Sequence, residues 1–280
     1  MTCLLTSCNT GGVGSYPLPP PTTVNLNWEQ ASIDFPLERF EMSPSEMATM
    51  WAARNIAYVR CVTGKDEVPA IEMERSANML KTLFTRFDVP DWVFGWWDTD
   101  FIRTQGEEPV DDGDFMPGTE TPASDEQAMA CVATQELKDL TPGGMTFMVE
   151  ADTAFSDLDA ARVDSIKKTY FSTLAESLAK QMGNCLAESG YQIAPRDRDG
   201  TPAVFADDSL GVSPEEKLRI ALVSAECNDR LGVTQQLANM MAGYQEQYIA
   251  EHEAELLAIR AEADRRLARA HELLHEVGLE

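Results

Sequence analysis

The sequence predicts a mainly α fold: a helical bundle in two disulfide-stapled halves, with a small β-hairpin and a long C-terminal helix that forms an antiparallel helical hairpin. Three observations predict it. Helix-start signals stand at Ser43-Pro44-Ser45-Glu46 and Ser213-Pro214-Glu215-Glu216, where Ser caps, Pro takes the first helical position and Glu reaches back to the cap amide. Apolar residues recur every three or four positions over long stretches. A cysteine-bearing amphipathic helix that stops at glycine occurs twice, in WAARNIAYVRCVTG (51–64) and AESLAKQMGNCLAESG (175–190).

The signals place helix starts near 44, 124, 157 and 214, the second and third from Ser124 with Gln127 and Ser156 with Asp159. The stripe Ile166, Tyr170, Leu174, Leu178, Met182, Leu186 predicts one helix over 157–189. From about Thr234 a second stripe runs Leu237, Met241, Tyr244, Tyr248, His252, Leu256, Ile259, Ala263, Leu267, Ala270, Leu274, Val277, the pattern of a rod about 60 Å long. Its apolar face needs a partner, which the 157–189 helix supplies in an antiparallel hairpin, or a second copy of the chain through self-association. YQIAPRDRDGTPAVF, with apolar runs around an Asp-Gly turn, predicts the β-hairpin. The residues from 65 to 123 are less regular, and TPGGMTFMVE (141–150) reads as a connector. The organisation expected is an N-terminal signal and flexible tether over 1–40, a first helical disulfide module over 41–150, and a second over 151–280 with the helical hairpin.

Six cysteines occur. With Cys3 and Cys8 set aside, Cys61, Cys131, Cys185 and Cys227 remain; no CxxC or Cys/His cluster is present, which suits disulfides in an oxidising compartment rather than zinc. Four cysteines allow three pairings. Because each Gly-stopped helix is followed by a second helical cysteine, in SDEQAMACVATQEL and SPEEKLRIALVSAECNDRLG, the repeat pairs Cys61 with Cys131 and Cys185 with Cys227.

Charge narrows the partners. A net charge of −25 repels phosphate backbones and anionic headgroups, which argues against nucleic acid and against electrostatic membrane binding. No run of 18 apolar residues follows residue 8, so any membrane link is covalent. Leu5-Thr6-Ser7-Cys8 resembles the lipobox of bacterial lipoproteins, whose cysteine is lipidated and becomes the mature N-terminus. The Gly-rich stretch from Asn9 to Ser15 and the prolines between 17 and 21 read as a tether behind it. Only seven residues, none basic, precede Cys8, too few for an export signal; the natural start is expected upstream of Met1.

Two motifs could carry chemistry. HELLH (271–275) matches the HExxH pattern that sets two histidines on one helix face with a glutamate to activate water. Only five residues follow it and His252 lies five turns earlier, so a third ligand is lacking; metal sites, cofactors and catalytic residues are predicted as none. WVFGWWDTDF (92–101) gathers Trp92, Trp96 and Trp97, a possible ligand-binding cluster able to stack on a sugar ring with Asp98 and Asp100 beside it, or else a local core. The acidic loops EEPVDDGD and RDRDG lack EF-hand spacing and read as solvated. P-loop, GxGxxG and GxSxG motifs are absent from the sequence.

Across residues 43–277 the chain resembles a group of exported actinobacterial lipoproteins of unknown function. The resemblance lies in the lipobox, the helix ending RCVTG, the FGWWDTDFIRTQG stretch, AMACVATQEL, NCLAESGYQI with SAECNDRLG, and the long acidic C-terminal helix. It departs in the short spacing from Cys61 to Gly64 and in the truncated signal. The resemblance implies disulfides and attachment to the outer face of a Gram-positive cytoplasmic membrane, and it implies no reaction. The function expected is a non-catalytic binding or scaffolding lipoprotein with an envelope protein partner, the alternative being an envelope hydrolase, either a zinc metalloprotease or a wall-sugar hydrolase.

Overall fold

The computed structural model describes residues 16–28, 31–86, 93–105, 123–141, 153–195, 203–204, 206 and 213–280. Cys8 and its lipobox, Trp92, residues 142–150 of the connector and the acidic loops at 107–114 and 196–200 lie outside them. Nine α-helices stand among the described residues: α1 (Pro44–Thr63), α2 (Ala70–Arg86), α3 (Thr99–Gln105), α4 (Asp125–Val132), α5 (Gln135–Asp139), α6 (Thr153–Tyr170), α7 (Thr173–Glu188), α8 (Pro214–Leu231) and α9 (Val233–Glu276). Two short strands, β1 (Leu26–Asn27) and β2 (Ser32–Ile33), make a small sheet, and Pro36–Phe40 is a 3-10 turn. None of the described helices is long and apolar enough to cross a membrane. The mainly helical class, the long C-terminal helix and both cysteine pairings are as the sequence predicts: Cys61 bonds Cys131 and Cys185 bonds Cys227.

The caps account for the boundaries. Ser43 accepts from the Glu46 amide while the Glu46 carboxylate accepts from the Ser43 amide, and the Ser124 and Ser213 hydroxyls cap α4 and α8 by accepting from the Gln127 and Glu216 amides. α1 stops where Gly64 takes φ 63°, a left-handed conformation that costs glycine nothing. Two expectations are corrected. Helix α6 begins at Thr153, so Ser156 lies inside the helix rather than at its cap. The single helix expected over 157–189 is two: Ser172 turns its hydroxyl onto the Ala175 amide and starts α7, a local bond that competes with helix continuation. Of the hairpin expected over 191–205, the described residues show one antiparallel bridge, Ile193 with Ala206.

Two compact units result, one drawn from residues 1–28, 91–107 and 164–244 and the other from 29–90, 108–163 and 245–280. Each holds one disulfide. They interleave along the chain, so 93–105, placed by the sequence reading in the first module, belongs with Cys185–Cys227.

In the Cys185–Cys227 unit the disulfide joins α7 to α8, and Ile102 of α3 packs on Ala221 and Ala225 of α8. Residues 16–28, expected as free tether, are held against the first turns of α9. The Val24 backbone amide donates to Asn239 Oδ1 (3.0 Å), and Gln235 Nε2 donates to the Val24 carbonyl (3.1 Å). Pro19 and Pro20 cross Gly243 so closely that a Cβ there would lie 2.5 Å from the Pro20 carbonyl oxygen.

In the Cys61–Cys131 unit, α1 is the central element. Met50, Trp51, Ile56 and Val62 form one core with Met79 of α2, Leu137 of α5 and Leu140 just after it, and Ala270, Leu273 and Leu274 of α9. A second core joins Leu37 and Phe40 to Leu158 of α6 and to Ile249, Leu256 and Ile259 of α9. α2 meets α1 partly through polar groups: Asn55 of α1 donates to Ser76 (3.1 Å) and Glu72 (3.4 Å), both fully buried. Arg260 clamps the start of α1, donating to both Glu46 carboxylate oxygens and to the Glu41 carbonyl. That bonding holds the Glu46 carboxyl below its ordinary range. Burial pushes the Glu41 carboxyl upward, with Arg162 at 3.7 Å offsetting only part of it, and Glu41 Oε1 has no hydrogen-bond partner among the described residues.

Two predictions follow from these contacts. Gly243→Ala should lift residues 19–24 from α9 at a cost of about 1–3 kcal/mol, read as a lower Tm and as faster hydrogen exchange in the peptide covering 16–28; unchanged exchange would refute the close approach. A raised carboxyl binds its proton more tightly in the folded state, so its contribution is complete below the unfolded value near 4.3 and is lost as pH rises through the folded one. Glu41→Gln should therefore raise Tm at pH 7 and lose that advantage near pH 4. A Tm difference that does not change with pH would show that Glu41 is not desolvated.

Candidate functional site

The aromatic stretch is the sharpest feature that the sequence offers for binding, and the structure shows how it is built. Asp98 starts α3: its Oδ1 accepts from the amides of Asp100 (3.0 Å) and Phe101 (2.8 Å), and its carbonyl accepts from Ile102 (3.2 Å). Gly95, at φ 79°, turns the chain between Phe94 and Trp97, which are both fully buried. The Val93 carbonyl accepts from the Tyr170 hydroxyl, and the Phe94 and Tyr170 rings lie 5.8 Å apart. Asn228, buried at the end of α8, donates to the Phe94 carbonyl (3.1 Å) and accepts from the Thr234 amide (2.9 Å). One side chain thereby ties the aromatic turn to the α8–α9 junction.

Of the three predicted tryptophans, Trp97 is 1% exposed and presents no face for stacking. Trp96 is half-buried and rests on the α3–α8 core, and Trp92 lies outside the described residues. Among the described tryptophans the accessible ring is Trp28, which the sequence reading passed over. It is 51% exposed and meets Trp97 edge to face at 5.0 Å and 77°. This contact holds the exposed indole in one orientation, so it can offer a rigid apolar surface at little entropic cost. Asp98 Oδ2 is buried without a hydrogen-bond partner among the described residues, while Asp100 is exposed and pairs with Arg103. The paired carboxylates thus differ in environment, one capping a helix inside the core and one solvated.

HELLH lies on the last turns of α9. Gly278 at φ 76° reverses the chain, with the Leu279 amide donating to the Leu274 carbonyl (3.0 Å). The reversal brings Glu280, the last of the five residues after the motif, onto His271 (Nδ1 to Oε2, 2.6 Å). Glu272 instead accepts from Arg269 at 3.1 Å, and His275 is exposed. Among the described residues no three His, Cys, Asp or Glu side chains are grouped to hold a metal ion. His252 stacks on Tyr248 (4.3 Å, 23°), bonds Glu255 (2.8 Å) and sits where α9 departs from helical geometry, at φ −127°.

The burial contrast between the two tryptophans gives a test. Trp97→Ala should cost about 3–5 kcal/mol, as for a buried aromatic, whereas Trp28→Ala should cost only the edge contact, about 0.5–1.5 kcal/mol. Urea unfolding of both variants measures the difference, and equal small losses would mean that the cluster is an open platform rather than a core. No protein-family model, curated protein or solved structure matches the chain.

Proposed function

We propose that the protein is a lipid-anchored extracytoplasmic lipoprotein of a Gram-positive envelope, of the actinobacterial kind that its motifs resemble, and that it acts as a non-catalytic binding or scaffolding component. The observation that carries this reading is the pairing of every cysteine after Cys8 into two disulfides, one in each unit. Such pairing is consistent with an oxidising, extracytoplasmic setting. It leaves Cys3 and Cys8, of which Cys8, in the lipobox-like Leu5-Thr6-Ser7-Cys8, is the cysteine that lipidation would use.

The apolar stripe of α9 supports a role for its charged face rather than its apolar one. Leu237, Met241, Leu256, Ile259, Ala263 and Leu274 are all buried within the chain. The outward residues Glu251, Glu253, Glu255 and Asp264 are acidic and exposed, which favours an envelope partner with a basic surface.

Expression behind a working export signal in a Gram-positive host tests the anchor. The parent chain should fractionate with the membrane and Cys8→Ala with the culture fluid; Cys8→Ala retained in the membrane fraction would defeat the proposal.

A further inference from the structure

The residues that follow Cys8 carry a second signal. In a chain of net charge −25, residues 1–28 contain no Asp, Glu, Lys, Arg or His; Glu29 is the first charged residue. The described part of this neutral stretch is also where large apolar side chains face water. Tyr16 is 41%, Leu18 76% and Trp28 51% exposed, three of the seven exposed large hydrophobics among the described residues. The stretch is fixed rather than free beyond that point, since Pro19 and Pro20 sit on Gly243 and Val24 is bonded at both its amide and its carbonyl.

We infer that Tyr16 and Leu18, with Trp28, are a membrane-interface contact, and that the partner they fit is the headgroup region of a lipid bilayer. The inference rests on the anchor proposed at Cys8. Seven residues lie between Cys8 and Tyr16, and whatever their conformation the eight Cα–Cα steps span at most about 29 Å, so a lipidated Cys8 keeps Tyr16 within that distance of the bilayer. Tyrosine and tryptophan favour the membrane interface, where the ring is buried and the polar edge stays wet. Charge selects the occupant. The acidic remainder of the chain is repelled by anionic headgroups over about a Debye length, whereas a neutral segment bearing exposed rings and a leucine meets no such repulsion. A protein partner with a basic surface would be drawn to the acidic regions and away from this segment.

The test supplies the anchor chemically. The full chain carrying Cys3→Ser is coupled through Cys8 to a maleimide phospholipid in phosphatidylcholine–phosphatidylglycerol vesicles whose acyl chains are brominated near the interface. A Leu18→Trp variant reports on the neutral segment, and Ile71→Trp, 52% exposed in the other unit, is the control. The fluorescence that Leu18→Trp adds should be quenched relative to unbrominated vesicles, and that added by Ile71→Trp should not change. Absence of quenching at position 18, or equal quenching at both positions, overturns the inference. Because coupling bypasses natural lipidation, failure of the Cys8→Ala fractionation would overturn the anchor alone and remains distinguishable from either result.

Discussion

The constraint on which most of the structure depends is the burial of one apolar stripe along α9. Helix α9, 44 residues with a departure from helical geometry at His252, would expose a long hydrophobic seam if it stood alone. Its first turns give Leu237, Ala238 and Met241 to the Cys185–Cys227 unit, and its later turns give Ile249 to Leu274 to the two cores of the other. Shorter helices supply the opposing faces. Small residues matter as much as large ones: Ala48, Ala52, Ala53, Ala263 and Ala270 are buried where elements approach closely. The departure from helical geometry at His252 falls between Ile249 and Leu256, both buried in the same core.

Polar groups inside these cores fix which faces meet. Apolar packing alone tolerates many registers, but a buried amide or carboxylate without a partner costs roughly 1–3 kcal/mol. Asn55 between Glu72 and Ser76, and Asn228 between Phe94 and Thr234, are satisfied in one arrangement and stranded in a slipped one. Arg260 does similar work at the start of α1, where it completes the bonding of a carboxylate already engaged in the helix cap. These contacts set specificity more than stability.

What was legible in the sequence follows from the same physics. Capping boxes and glycine stops are local and chemically explicit, so α1, α4 and α8 begin where Ser43, Ser124 and Ser213 say, and the repeat of Gly-stopped cysteine helices led to the correct disulfides. Helix α2 was not legible because its buried face carries Glu72 and Ser76, which break the apolar period that a sequence reading follows. The division at Ser172 was hidden for the opposite reason: the stripe from Ile166 to Leu186 continues across it as though the helix were unbroken. Trp28 could not be assigned to the aromatic cluster, since nothing local links it to a tryptophan 69 positions later. The buried role of Asn228 had one available signal, a polar residue beside a disulfide cysteine near a helix stop.

The disulfides and the acidic charge are two sides of one balance. Self-repulsion at a net charge of −25 works against compaction, and each unit is assembled from chain segments separated by long intervening stretches. The links between Cys61 and Cys131 and between Cys185 and Cys227 close separations of 70 and 42 residues. In the chain-entropy model each removes about 4 kcal/mol of unfolded-state freedom. Together that matches the whole net stability of an ordinary domain, about 5–15 kcal/mol. A fold so dependent on its staples holds where thiols are oxidised and weakens where they are reduced. Oxidised thiols are therefore a condition of the fold itself.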